Sequence, residues 1–227
     1  MDTDGQTPIG YDIDINKALA KVMGLNAGET KHSEFPTIIP ALGTKFDVGI
    51  SSFTITSERE KQANLISYVQ VGSAYGVAAG NPKNFDPTDP CGKTIGVQTG
   101  TAQEDYANEL SEQCVADGKD KITIMPHDLQ TDITTKVIGG QYDATFADST
   151  VIGYTAKLAS GKSEQVGGFV ESAPQGVAVA KDDAQLAEAV QKAMQYLMDN
   201  GYLNDILASY GAENAALTTA ALNPSID

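Results

Sequence analysis

Two extended stretches of matching texture, Ala74-Tyr75-Gly76-Val77-Ala78-Ala79 and Gln175-Gly176-Val177-Ala178-Val179-Ala180, stand about one hundred residues apart. That interval is a domain's worth of chain. The pair reads as two crossover strands, with one lobe inserted into another and the strands serving as the hinge. On this reading residues 1–79 with 179–227 form the first lobe and residues 80–178 the second. Two unrelated strands of a single sheet are the alternative.

The segments between these landmarks alternate between strand and helix. Asp14 is placed to cap a helix carrying Ile15, Leu19 and Val22 and stopped by Gly24. A polar strand is expected near 29–34, then a short helix from Thr37 to Leu42, a strand over 46–50, a helix over 57–63 and an extended run from Val69 to Ala79. A second series follows: strand 94–98, helix 102–112, strand 121–125, helix 129–138, strand 142–146, helix 149–158 and a strand near 164–168. Two C-terminal helices come next, one bearing Leu186, Val190, Ala193 and Leu197. The tail 212–227, polar and rich in Ala, reads as a surface extension. Such alternation predicts an α/β fold with ligands at the carboxyl ends of strands.

Composition narrows the function. The net charge of −15 argues against nucleic acid or anionic membrane as partner. No run is long and apolar enough to cross a membrane, and no basic stretch followed by an apolar one opens the sequence as a signal peptide would. Cys91 precedes the strand Thr94-Ile95-Gly96-Val97, and Cys114 falls at the end of the helix that starts after Thr101. A strand that climbs and a helix that descends bring the two cysteines to one end of the lobe. A disulfide is therefore expected, with two free thiols as the alternative. It would close a loop of about 23 residues, contribute roughly 3 kcal/mol and imply an oxidising compartment.

Three strand ends carry the chemistry. Asp47-Val48-Gly49-Ile50 leads through the polar crossover Ser51-Ser52-Phe53-Thr54 to Ser57-Glu58-Arg59-Glu60, read as a capping box with Ser57 at the N-cap. That end offers backbone N–H groups, hydroxyls and a guanidinium whose fork suits a carboxylate. Gln98-Thr99-Gly100-Thr101-Ala102-Gln103-Glu104 repeats the device, with Thr101 and Glu104 as the box. Ala147-Asp148-Ser149 places a carboxylate between a strand and a helix. Two anion-attracting ends and one carboxylate suit a zwitterion.

These residues resemble the family 3 extracellular solute-binding proteins, the amino-acid receptors of ABC importers. The resemblance runs from residue 10 to about 211 and rests on Gly10-Tyr11-Asp12-Ile13-Asp14-Ile15, Phe35 before Ile38-Ile39-Pro40-Ala41-Leu42, Asp47 through Arg59, Cys91-Gly92-Lys93 with Gln98 to Thr101, Ala147-Asp148-Ser149 and Asn200-Gly201-Tyr202. It implies a two-lobed periplasmic-binding-protein-like fold closing on an amino acid. The family pattern makes Phe35 an aromatic wall and gives Ser51, Ser52 and Thr54 backbone and hydroxyl contacts. It puts the α-carboxylate on Arg59 and Thr101 and the α-ammonium on Asp148. Gln98 and Ala102 fall where the family varies with side-chain preference. Neither supplies a charge, and a polar ligand such as glutamine or glutamate is expected. Family members have a further strand before the segment matching Met1-Asp2-Thr3-Asp4-Gly5, so the first lobe is expected to lack its N-terminal strand. The family also implies a periplasmic or extracellular, lipid-anchored monomer that serves a membrane permease.

An enzyme on the same lobes, such as a dehydratase, and a ligand-sensing domain are the rival classes. Catalysis needs a positioned acid, base or nucleophile. The only histidines are His32, read as a strand residue, and His127, read as a solvent-facing loop residue. Asp148 and Glu171 are the remaining acid or base candidates, and a paired carboxylate explains Asp148 better. No nucleophile–histidine pair, phosphate loop, metal-ligand cluster or cofactor motif stands out.

Overall fold

The computed structural model describes residues 7–26 and 30–226. The elements are α1 (Tyr11–Val22), α2 (Phe35–Ile38), β1 (Val48–Thr54), α3 (Ser57–Gln62), β2 (Ala63–Ala78), β3 (Thr94–Gln98), α4 (Ala102–Ala116), β4 (Thr123–His127), α5 (Gln130–Ile138), β5 (Ala144–Asp148), α6 (Ser149–Leu158), β6 (Ser163–Val166), β7 (Ser172–Ala180), α7 (Ala184–Asp199) and α8 (Tyr202–Ala208). They fall into two compact units, residues 1–70 with 173–227 and residues 71–172. The chain therefore passes from one unit to the other within β2 and returns at the start of β7.

In the first unit β1 runs antiparallel to β7, pairing Val48 with Val179 and Thr54 with Gln175, and its register slips between Gly49 and Phe53. Phe53, Ile55, Ala63, Leu65 and Ala178 form a core there, each at most 1% exposed. Helix α1 buries Ile15 and Leu19, and α7 buries Val190, Met194 and Leu197. Several details differ from the sequence reading. Gly10, not Asp14, precedes the first turn of α1, and Asp12 and Asp14 sit inside that turn, where the helix dipole favours them. Residues 30–34 form no strand, and residue 29 and the turn 1–5 lie outside the described residues. His32 is exposed in that irregular segment. The segment Ser51–Thr54 is not a crossover but the second half of β1, because the register slip lets a polar run continue the ladder.

The C-terminal segment is also more than a surface extension. Ser67 N donates to Ala221 O at 2.9 Å, Leu217 N to Tyr68 O at 3.0 Å, and Asn223 N to Leu65 O at 2.8 Å. The Asn223 side chain accepts from Leu65 N at 2.9 Å and donates to Asn64 at 3.1 Å. Residues 216–223 thus strap the edge of β2 and satisfy backbone groups that would otherwise be exposed.

The second unit is built on β3, flanked in parallel by β4 and β5. The latter half of β2 runs antiparallel to β5, pairing Ser73 with Asp148, and to β6. Tyr75 and Phe146 stack at 4.5 Å within a core that includes Phe85, Ile95, Val97 and Ala144. Helix α5 packs so closely on β3 that a Cβ on Gly96 would stand 2.4 Å from the Ile133 side chain. Cys91 and Cys114 are bridged, with Cα atoms 5.7 Å apart, joining the loop before β3 to the last turns of α4. His127 is not a loop residue: it ends β4 and its Nε2 lies 2.7 Å from the Tyr142 hydroxyl.

Candidate functional site

Arg59, the only arginine in the chain, stands where β1 hands over to α3. Its guanidinium donates from Nη1 to Thr54 O at 2.7 Å and lies over the rings of Phe35, at 5.4 Å, and Phe53, at 5.9 Å. The two rings pack on each other at 4.9 Å. A planar cation on aromatic faces is held by dispersion and by the ring quadrupoles, about 0.5–1 kcal/mol for each exposed contact. The fork is thereby fixed in one pose. The expected capping box is shifted by one residue. Thr56, not Ser57, caps α3 and accepts from Arg59 N at 3.2 Å, because its extended backbone puts its hydroxyl over the third N–H. Helix α3 has only six residues, so an anion here would be held chiefly by the guanidinium.

Ser51, Ser52 and Thr54 line this part of β1. Ser52 is in the left-handed region, φ 49°, inside the register slip. Its hydroxyl donates to Asp12 Oδ2 at 3.1 Å and lies 3.0 Å from the Tyr11 hydroxyl. Asp12 Oδ1 accepts from the Tyr68 hydroxyl at 2.6 Å. Removal from water pushes the Asp12 pKa up to about 6, although its hydrogen bonds to Tyr68 and Ser52 pull the other way. Burial, with the Asp12 carboxylate beside it, drives the Tyr68 phenol well above its ordinary value.

In the second unit the turn from β3 into α4 carries Gln98, Thr101 and Ala102. The Thr101 hydroxyl donates to Gln98 O at 2.7 Å and accepts from Glu104 N at 3.2 Å. The Glu104 carboxylate takes Gly100 N at 2.6 Å. With its single hydrogen on Gln98 O, Thr101 acts as the cap that shapes the turn, and the Ala102 and Gln103 N–H groups are the orphan donors at the start of a fifteen-residue helix. The Gln98 side chain donates to Asp128 O at 2.9 Å.

Asp148 ends β5 and precedes the first turn of α6 without accepting a capping bond there. It is half-buried, and its Oδ1 accepts from Gln103 Nε2 at 2.8 Å. The same nitrogen donates to Ser73 Oγ at 2.9 Å. Gln103 is 6% exposed and was not singled out by the sequence reading, nor was Asp12. The signal for both is a polar residue on an apolar helical stripe: Gln103 with Ala107 and Cys114, and Asp12 with Ile15 and Leu19. Glu171 is exposed. No group of three metal-ligating side chains forms among the described residues, and no helix among them is long and apolar enough to cross a membrane.

The structure therefore assembles Phe35, Ser52, Thr54 and Arg59 around the β1–α3 junction and links Asp148 to the β3–α4 turn through Gln103. Residues 1–213 match the bacterial extracellular solute-binding proteins, family 3. The chain is 35% identical over 225 residues to the arginine-binding protein ArgT of Corynebacterium glutamicum, across 98% of this chain and 73% of that protein. An ancestral arginine-binding protein solved with arginine bound matches with a TM-score of 0.81 and 29% identity, over 92% of this chain and 91% of that one. An ancestral arginine-binding protein solved with glutamine bound matches with a TM-score of 0.79 and 31% identity, over 90% and 88%.

Proposed function

The chain belongs to the bacterial extracellular solute-binding proteins, family 3, and from that premise we propose that it captures a free amino acid, arginine foremost, for the membrane permease of an ABC importer. The observation that carries the reading is the fixed guanidinium of Arg59, bonded to Thr54 O and laid over Phe35 and Phe53. A guanidinium so held presents its fork to a carboxylate with little further ordering cost. In this proposal Arg59 and the N–H groups of Ala102 and Gln103 take the α-carboxylate, with Thr101 shaping the turn. Asp148, aimed by Gln103, takes the α-ammonium. Phe35 is the apolar wall, Ser51, Ser52 and Thr54 add polar contacts, and Gln98 stands toward the variable side chain.

Arginine replaces the glutamine or glutamate expected from sequence, a preference that finds no support in the relatives' names. ArgT is named for arginine, and the two ancestral structures are of arginine-binding proteins. These relatives are binding proteins, not enzymes. A thermal-shift screen across the twenty amino acids tests the proposal, because a ligand at about a hundred times its Kd adds about 2.7 kcal/mol to stability. Arginine is expected to give the largest shift. A screen in which no amino acid raises the melting temperature contradicts it.

A further inference from the structure

The carboxylate of Asp12 is given no ligand contact of its own, yet it ties three elements of the first unit together. From α1 it accepts a hydrogen bond from Tyr68 on β2 at 2.6 Å and another from Ser52 on β1 at 3.1 Å. Tyr11, beside it on α1, closes the cluster by lying 3.0 Å from the Ser52 hydroxyl. Ser52 is the residue that most needs holding. Its φ of 49° lies in the left-handed region, which non-glycine residues adopt only under strain, and it sits in the register slip of β1 between Gly49 and Phe53. On either side of it are Ser51, Phe53 and Thr54, and the Thr54 carbonyl anchors Arg59.

We propose that Asp12 is a positioning residue of the amino-acid site: its carboxylate holds the left-handed turn at Ser52, and ligand affinity follows its ionisation. This rests on the functional reading above and adds to it a residue and a pH dependence. An ionised carboxylate can accept from Tyr68 and Ser52 at once. On protonation the Tyr68 hydroxyl, on a fully buried ring, keeps an acceptor, but the Ser52 hydroxyl and backbone N–H, which both favour the ionised carboxylate, lose their charged acceptor. The hold on the strained turn then loosens.

The surroundings set the pH at which this happens. Packing pushes Asp12 up to about 6. The titratable groups around it are Tyr11 on its own helix, Tyr68 from β2, and Tyr210 from the turn after α8, whose ring meets Tyr11 at 6.1 Å. β1 contributes the neutral Ser52. Asp14, two residues along α1, is engaged by the Tyr210 hydroxyl at 2.7 Å and Lys17 at 3.3 Å. Among the described residues no lysine or arginine pairs with Asp12 to hold it ionised.

The test combines calorimetry with arginine and amide NMR of the ligand-free protein. Arginine keeps its charge between about pH 5 and pH 7. If the bound state needs the ionised carboxylate, the wild-type Kd should rise by about tenfold across that window as pH falls. Asp12→Asn, a neutral isostere, should bind at about pH 7 as weakly as the wild type does at about pH 5, with no pH dependence between. In the ligand-free wild type the Ser52 amide resonance should shift with a midpoint near 6, and that titration should vanish in Asp12→Asn. A pH-independent wild-type Kd, or an Asp12→Asn variant that keeps the wild-type profile, overturns the proposal and leaves the functional reading standing. If no amino acid binds at any pH, the functional reading fails, and the Ser52 titration alone decides whether Asp12 controls that turn.

Discussion

Gln103 Nε2 donates to Asp148 Oδ1 at 2.8 Å, from a side chain that is only 6% exposed and also bonded to Ser73. A carboxylate at a strand end can swing about two torsions. This one is tethered from the first turn of α4, so the residue proposed for the α-ammonium and the helix start proposed for the α-carboxylate are mechanically linked.

Gln103→Leu keeps the volume and removes the tether. It leaves Ser73 and Asp148 to find water, and should weaken arginine binding by about tenfold, or roughly 1.4 kcal/mol. Calorimetry reads the affinity, and a thermal melt should show the fold retained with a loss of about 1–2 kcal/mol.

Arg59→Ala removes the cation and should reduce arginine affinity by about 2–5 kcal/mol. Arg59→Lys should recover only part of it, since an ammonium lacks the planar fork that lies over Phe35 and Phe53. Equal affinity of Arg59→Lys and wild type in the same titration would show that charge alone matters.

The Cys91–Cys114 bridge closes a segment containing β3 and most of α4. Paired Cys→Ser replacement should lower the free energy of unfolding by roughly 3 kcal/mol in urea titrations. The loss should match that of the wild type under reductant.

Asp12 also governs stability, with the opposite sign to an ordinary paired carboxylate. Its folded pKa of about 6 lies above the ordinary aspartate value of 3.8. Between those values the folded chain holds a proton that the unfolded chain has released. The contribution is fully present below about 3.8 and is lost as pH rises through about 6. Urea unfolding should show Asp12→Asn gaining on the wild type by roughly 2–3 kcal/mol as pH rises across that window.

Much of this was legible in the sequence, for identifiable reasons. The bridge followed from a strand that climbs the lobe and a helix that descends beside it, and the α4 cap from Thr101 with Glu104 three residues on. The missed features depend on contacts remote in sequence. Asp12 meets residues 40 and 56 positions away, and its spacing with Ile15 and Leu19 hides it on an apolar stripe. The strap over β2 is held by backbone bonds that leave no side-chain period. The cap of α3 was displaced because Thr56 and Ser57 are both hydroxyls, and only backbone conformation chooses between them. The polar half of β1 hid a bulge that reads in sequence as the end of a strand.

The central claim is that the protein recognises the zwitterion through Arg59 and Asp148. Calorimetric titration of arginine into the wild type and Asp148→Asn tests it most directly, with α-N-acetylarginine as the control ligand. Asp148→Asn should fold normally and lose about 2–5 kcal/mol of arginine binding, while the acetylated ligand binds the wild type poorly and loses little more in the variant. Unchanged arginine affinity in Asp148→Asn would contradict the account and leave Asp148 a strand-end carboxylate held by Gln103.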